Sequence, residues 1–206
     1  LMRSAFLLAV VAFSLVPVRA EQLPVKTYTI ANGLARDFIN KIKQDPNGFL
    51  WFCTAEGISR FDGYDFTNYG VADGLPHRVV NDILIKRDGT YLFGTEGGLV
   101  QFNPATVDAE SSHFTLISLG TDKVEPSVES MVEDPDGSVW LGTSHGVFHL
   151  TGSRDRWNAE VILKDAVTDT PVIDAGAVFL DSSGALWIGT GSNGVFRYRR
   201  DHPTEH

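Results

Sequence analysis

Cysteine is almost absent: Cys53 is the only one in 206 residues. A lone cysteine excludes an internal disulfide and every paired-thiol zinc motif. No histidine accompanies it in a context that would make it a nucleophile, so it reads as a buried structural thiol. Positive charge is also scarce. Lys and Arg number 17 against 26 Asp and Glu, a formal net charge of −9, and no basic cluster occurs. Nucleic acid is therefore not expected as a partner, because phosphate contact needs local positive charge. Beyond the first twenty residues no apolar run reaches membrane length. Missing too are a Gly-x-Ser-x-Gly elbow, a phosphate loop and any sustained helical period. The glycine-rich stretch Gly189-Thr190-Gly191-Ser192-Asn193-Gly194 has no helix after it, so it is a strand turn and not a dinucleotide fingerprint. No cofactor, metal site or catalytic residue is expected.

What is present begins with an export signal. Arg3 supplies a positive start, Ala5 to Val16 is apolar apart from Ser14, Pro17 ends the run, and Val18-Arg19-Ala20 suits a signal peptidase. The reading is a signal peptide over residues 1–20, leaving 21–206 in the periplasm or an equivalent extracytoplasmic space.

Repetition dominates the remainder. Asp45-Pro46-Asn47-Gly48-Phe49-Leu50-Trp51-Phe52-Cys53-Thr54 returns as Arg87-Asp88-Gly89-Thr90-Tyr91-Leu92-Phe93-Gly94-Thr95, as Asp134-Pro135-Asp136-Gly137-Ser138-Val139-Trp140-Leu141-Gly142-Thr143 and as Asp181-Ser182-Ser183-Gly184-Ala185-Leu186-Trp187-Ile188-Gly189-Thr190. Each copy is followed by a second glycine, at 57, 98, 146 or 194, and then by an apolar run. A period of roughly 40–50 residues suits four short strands, the size of one β-propeller blade. The aspartate turn needs glycine at its fourth place. Trp51, Trp140 and Trp187 supply apolar area for packing blade on blade and should be buried. Glycine at 94, 142 and 189 lets a neighbouring backbone come close, and Cys53 takes that place in the first copy. The second copy has Leu92 for Trp and Lys86 for Asp, so its blade should pack less tightly.

The fold expected is all-β, with about four blades of four antiparallel strands at 37–69, 79–118, 127–163 and 173–200. Tyr28-Thr29-Ile30-Ala31-Asn32-Gly33-Leu34 echoes Tyr69-Gly70-Val71-Ala72-Asp73-Gly74-Leu75. That echo predicts an outermost strand at 27–31 belonging to an otherwise absent blade. An incomplete arc of a larger propeller is expected. The alternative is a closed four-bladed ring, in which Tyr28 would lie in a ladder beside Phe196.

These residues resemble the two-component regulator propeller repeat, which pairs an aspartate turn with Leu-Trp-Ile-Gly-Thr and Gly-Leu-aromatic. Trp187-Ile188-Gly189-Thr190 and Trp140-Leu141-Gly142-Thr143 carry the likeness, with Phe66-Thr67-Asn68-Tyr69 and Asp73-Gly74-Leu75. The resemblance spans about residues 26 to 200. It implies the ligand-sensing region of a bacterial two-component-type receptor and not an enzyme. Further blades and an output domain would then lie outside this chain. Its partner would be a small molecule or oligosaccharide, and a homodimer is compatible with the reading.

In a propeller, the loops between second and third strands share one face with those entering the innermost strands. Here they carry Glu56, Glu96, His145 and Asn193, with Arg36, Asp37, His77 and Arg78. These eight are the candidate ligand-binding residues. His145 and His149 have the i, i+4 spacing of metal ligands, but they straddle a turn. Asp134 and Asp136 read as turn formers. Streptogramin B lyases, propellers with short repeats, offer an alternative in which His145 and Glu96 mimic a catalytic pair. A passive interaction scaffold is a third reading.

Overall fold

The computed structural model describes residues 24–104, 112–120, 124–153, 156–162 and 174–200; the signal segment lies outside them. Among the described residues fifteen strands run in chain order. The first sheet holds β1 (Ile39–Gln44), β2 (Leu50–Thr54), β3 (Gly57–Phe61) and β4 (Phe66–Tyr69). The second holds β5 (Val80–Ile85), β6 (Tyr91–Thr95), β7 (Gly98–Phe102) and β8 (Phe114–Ile117). The third holds β9 (Val128–Glu133), β10 (Val139–Thr143), β11 (Gly146–Ser153) and β12 (Arg156–Val161). The fourth has three strands, β13 (Ala175–Leu180), β14 (Leu186–Thr190) and β15 (Val195–Tyr198). Every pairing is antiparallel between chain neighbours, so each sheet is a meander. The first strands of successive sheets lie side by side, β1 on β5, β5 on β9 and β9 on β13. The sheets therefore stand as consecutive blades in an open arc.

One carboxylate organises each repeat. Asp45 Oδ1 accepts from the backbone N–H of Asn47 and Phe49, which closes the turn, while Oδ2 accepts from Trp51 Nε1 at 2.9 Å. Asp181 does the same for Ser183, Ala185 and Trp187. Asp134 takes the indole N–H of Trp140, again at 2.9 Å. The turn glycine sits at positive φ, 92° at Gly48 and 87° at Gly137, where a side chain would be strained. A buried indole N–H needs an acceptor, so aspartate and tryptophan form one unit.

That unit corrects the expectation for the second blade. Lys86 and Leu92 replace both halves together, so no indole N–H is left without its carboxylate. Lys86 Nζ bonds Asp88 at 3.2 Å and lies over the Trp157 ring of the next blade. Leu92, Phe93 and all of β7 are buried. Blade two, covered on both sides, is the most enclosed of the four.

The core is three seams between blades. Trp51 of blade one meets Tyr91, Phe93 and Phe102 of blade two with ring centroids 5.3–5.7 Å apart. Leu92 and Leu99 join Val128, Met131 and Leu141 in the second seam, and Trp140 joins Val178, Leu186 and Ile188 in the third. The seams are tight. A Cβ on Gly94 would meet Val128 O at 2.8 Å, and one on Gly142 would meet Ala175 O at 2.7 Å. Cys53 occupies this place in blade one and is fully buried.

Two further expectations are corrected. Trp51 and Trp140 are each 2% exposed, but Trp187 is 39% exposed, because no blade follows the fourth among the described residues. Residues 27–31 are not a strand. Ile30–Asn32 is a short 3-10 turn like Val71–Asp73, each ending on a left-handed glycine, Gly33 and Gly74, before a buried leucine, Leu34 and Leu75. The echo is a loop signature, and among the described residues no strand pairs with Thr27 to Thr29. Tyr28 packs on Phe61 and Phe66 of blade one, at the far end of the arc from Phe196, so the four blades do not close on themselves.

Candidate functional site

The threonine of the Trp-x-Gly-Thr repeat builds the face on which the candidates lie. Thr54, Thr95, Thr143 and Thr190 each donate through Oγ1 to the carbonyl of the glycine opening the third strand, at 2.8–2.9 Å. The same oxygens accept from the backbone N–H of Glu56, Gly97, His145 and Asn193. One threonine hydroxyl per blade, buried in the first three, thus fixes the turn that presents Glu56, Glu96, His145 or Asn193.

The entering loops interlock with those turns. Arg78 O accepts from Gly57 N at 2.6 Å, and Arg78 Nη1 pairs with Glu56 Oε1 at 2.8 Å, tying blade two to blade one. His77 Nδ1 lies 3.5 Å from Glu96 Oε2 and 3.2 Å from Val79 N. Nδ1 accepts from Val79 N–H when it carries no hydrogen and donates to Glu96 when it carries one, so the two contacts are alternatives. Arg78, Glu56, His77 and Glu96 form one polar patch across the first two blades. The other four candidates are not drawn into it. Asp37 Oδ1 accepts from Ile30 N and holds the N-terminal turn. Arg36 is exposed. His145 bonds Ser144 Oγ at 3.0 Å, and Asn193 accepts from Ser192 Oγ. Glu96 and His145 thus have different neighbours, and no catalytic pair is assembled.

A second set of polar residues was missed in the sequence. Each innermost strand carries an irregularity near its start, between Ile39 and Lys41, Val80 and Asp82, and Ala175 and Ala177, with the matching shift in β9 opposite Gly142 and Thr143. The extra residue is aimed sideways by such a bulge. Asn40 donates to Val80 O at 2.8 Å and Asn81 to Val128 O at 3.2 Å, each reaching the next blade. Asp82 is buried and bridges three blades. Its Oδ1 takes Lys41 Nζ at 3.1 Å, and its Oδ2 takes Met131 N at 2.8 Å. The signal was there, in Asn40 and Asn81 at equal distance before their turns, but only the bulge gives it meaning.

Cys53 lies against this wall. Burial, with the nearby Asp82 charge, pushes its thiol well above the ordinary range, so it stays protonated. At the opposite end of the seam, burial and then the Asp45 carboxylate push the Tyr91 hydroxyl up to about 12, and that hydroxyl donates to Asp45 at 3.0 Å. Among the described residues no group of three or more His, Cys, Asp and Glu is placed to hold a metal ion. None of their helices is long and apolar enough to cross a membrane.

Four-stranded meanders packed face to face by repeat, with first strands adjacent, define a sector of a β-propeller. The family described as two component regulator propeller matches residues 124–145, which span β9 and β10 of the third copy of the repeat. Solved structures agree on the fold. The extracellular domain assigned to the hybrid two component system BT3049 from B. thetaiotaomicron shares 19% identity at a TM-score of 0.66, over 86% of this chain and 24% of that one. The corresponding domain of BT4673 from the same organism shares 21% at 0.62, over 81% and 22%. Virginiamycin B lyase from Staphylococcus aureus shares 17% at 0.53, over 79% and 55%. This chain thus spans about a quarter of the length of the receptor domains. No curated protein sequence matches it.

Proposed function

We propose that this chain is the ligand-sensing sector of an extracytoplasmic receptor of two-component type, with signal output supplied by a separate region. One observation carries the reading. The motif threonines and entering loops present Arg78, Glu56, His77 and Glu96 as a fixed patch of both charges, on a fold shared with receptor extracellular domains. Such a patch binds by complementary hydrogen bonding and offers no activated nucleophile. Its ligand is a small polar molecule, with an oligosaccharide as the leading class. The patch needs no redox or hydrolytic chemistry, so binding and not turnover is its role.

The test is calorimetric titration of residues 21–206 with a panel of neutral and acidic oligosaccharides. Binding that is lost in Arg78→Ala and Glu96→Ala supports the reading. Binding unaffected by either change places the site elsewhere. Product formation from any panel member, or from a streptogramin B substrate, overturns the non-enzymatic role.

A further inference from the structure

Equivalent positions in neighbouring seams carry different side chains, and the difference leaves a cleft inside the arc. Between blades one and two the outer half of the seam is filled by rings. Trp51 stacks on Tyr69 at 6.1 Å and meets Phe102 at 5.3 Å, and Tyr69 meets Phe114 at 6.0 Å. Arg60 completes the filling by lying over Phe49 and Trp51. Between blades two and three, Leu92 stands where Trp51 does. Register sets Ile117 opposite Leu99 as Tyr69 is opposite Ile58, and Thr115 opposite Gln101 as Thr67 is opposite Arg60. Two rings and a guanidinium are thus exchanged for smaller groups. Leu92 and Ile117 stay buried with Leu99 in the core of this seam. Toward the rim, a cleft of about 530 Å³ remains between β7 and β8 on one side and Trp157 of β12 on the other. That volume is typical of a small-molecule site.

The wall of the cleft is a chain of hydrogen bonds with a fixed direction. The indole of Trp157 can only donate, and it donates to Gln101 Oε1 at 3.1 Å. The Gln101 amide nitrogen is therefore turned to Asn103 and donates to its Oδ1 at 3.2 Å. Asn103 Nδ2 donates in turn to Thr115 Oγ1 at 2.8 Å. Thr115 has accepted and keeps its own hydroxyl hydrogen, which goes to no other group among the described residues. Lys86 Nζ holds the Trp157 ring from 5.0 Å while bonding Asp88. Leu116 and Ile117 supply apolar wall beside these groups. Ser118 is committed to Glu125 Oε1 at 2.8 Å, and Glu125 Oε2 accepts from Leu119 N at 3.0 Å. No charged side chain lines the cleft among the described residues.

We infer that this cleft is a second ligand site, taking a neutral polyhydroxylated ring such as a hexose or a disaccharide unit. An ionic ligand would meet no available counter-charge, because Lys86 and Glu125 both have partners. A purely apolar ligand would strip water from Thr115 and the amides without replacing its hydrogen bonds, which is unfavourable. A sugar hydroxyl both accepts and donates. It can take the Thr115 hydrogen and give its own to Gln101 Oε1, which has a second lone pair. The C–H face of the ring suits the indole and Leu116. The relay is set before the ligand arrives, so binding costs little ordering of the wall. Gln101 and Asn103 lie at the end of β7 away from Gly98, whereas Glu96 lies beside Gly98. The cleft is therefore separate from the Arg78 patch and does not depend on it.

Intrinsic fluorescence reads the site, because Trp157 lines it, and calorimetry in parallel gives the affinity. Titration of the purified chain with glucose, galactose, mannose, maltose and cellobiose should show saturable binding of at least one, in the millimolar range. Thr115→Val removes the hydroxyl at an exposed position, and should weaken that sugar about tenfold with an unchanged circular dichroism spectrum. Thr115→Ser keeps the hydroxyl and should bind like the parent. Arg78→Ala and Glu96→Ala should leave this binding in place, so failure of the patch and failure of the cleft are told apart. Saturable binding of none of the five sugars overturns the inference. So does equal affinity in Thr115→Val, or loss of binding in Arg78→Ala. A uronic acid bound as tightly as its parent sugar overturns the choice of a neutral ligand. A response to a capped uncharged peptide, with none to sugars, would assign the cleft to an extended chain and overturn it too.

Discussion

Trp140 and Trp187 hold the same place in the repeat and make the same bond to an aspartate, at 2.9 and 2.8 Å, yet only one is enclosed. Replacing each by alanine separates packing from hydrogen bonding. Trp140 is buried against Leu186 and Tyr198 and stacked on His149 at 4.2 Å. Its removal should cost about 3–5 kcal/mol, the range for deleting a large buried aromatic. Trp187 keeps 39% of its surface in water, so its removal should cost about 1–2 kcal/mol, a partial burial term. Urea denaturation followed by far-ultraviolet circular dichroism reads both values. With an m-value of about 2–3 kcal/mol/M, the Trp140 variant should lose about 1–2.5 M in midpoint and the Trp187 variant about 0.3–1 M. Equal losses would refute the claim that seam burial, and not the aspartate bond, gives the tryptophan its value.

Glycine tests the same seams from the backbone side: Gly142→Ala should cost about 1–3 kcal/mol, because its Cβ would meet Ala175 O at 2.7 Å, while Gly189→Ala, nearest Ala177 Cβ at 3.5 Å, should be close to neutral in thermal melts. Burial, then the Arg200 guanidinium, lowers the affinity of His149 for a proton below its ordinary 6.5. The unfolded chain therefore binds that proton more readily, and stability should fall as pH drops below about 6.5. His149→Gln should flatten the dependence between pH 7 and 5, and an unchanged slope by chemical denaturation would remove His149 as its source. Cys53 should resist iodoacetamide in native buffer and react only at the rate of unfolding, as read by mass spectrometry; rapid native labelling would show that the first seam opens freely.

The blades were legible because each strand of the repeat carries a local signal. Asp-Pro-x-Gly, Trp-x-Gly-Thr and the following glycine mark two turns and the strand between them without tertiary knowledge. The second blade was misjudged because Lys86 and Leu92 look like two defects until the Asp–Trp bond shows them to be one replacement. Residues 27–31 were misjudged for the opposite reason. Their likeness to 69–75 was real, but a strand exists only where another pairs with it. The neighbourhoods of the candidate residues were partly legible. The faces of the loops follow from topology, and on them Arg78 pairs with Glu56 and His77 lies beside Glu96. Asp37 was spent on a backbone N–H, a use that composition does not distinguish from ligand binding. Asn40, Asn81 and Asp82 escaped notice because a bulge, which no local motif announces, turns them across the seam.

The aspartate turns set a direction along the arc. Asp45 takes a donor from the blade after it, the Tyr91 hydroxyl, and Asp134 takes Arg200 in the same sense. Asp181 at the open end bonds only within its own blade among the described residues. Each aspartate that has a following blade is thus clamped by it, and among the described residues no blade follows the fourth. In a linear array coupled to nearest neighbours, loss of structure enters at the weakest terminus and advances inward. Fraying should begin at β15 and reach blade one last, so amide protons in β14 and β15 should exchange before those in β6 and β7. The repeat is in this sense a zipper with a defined opening end, and whatever covers Trp187 also sets the lifetime of every blade behind it.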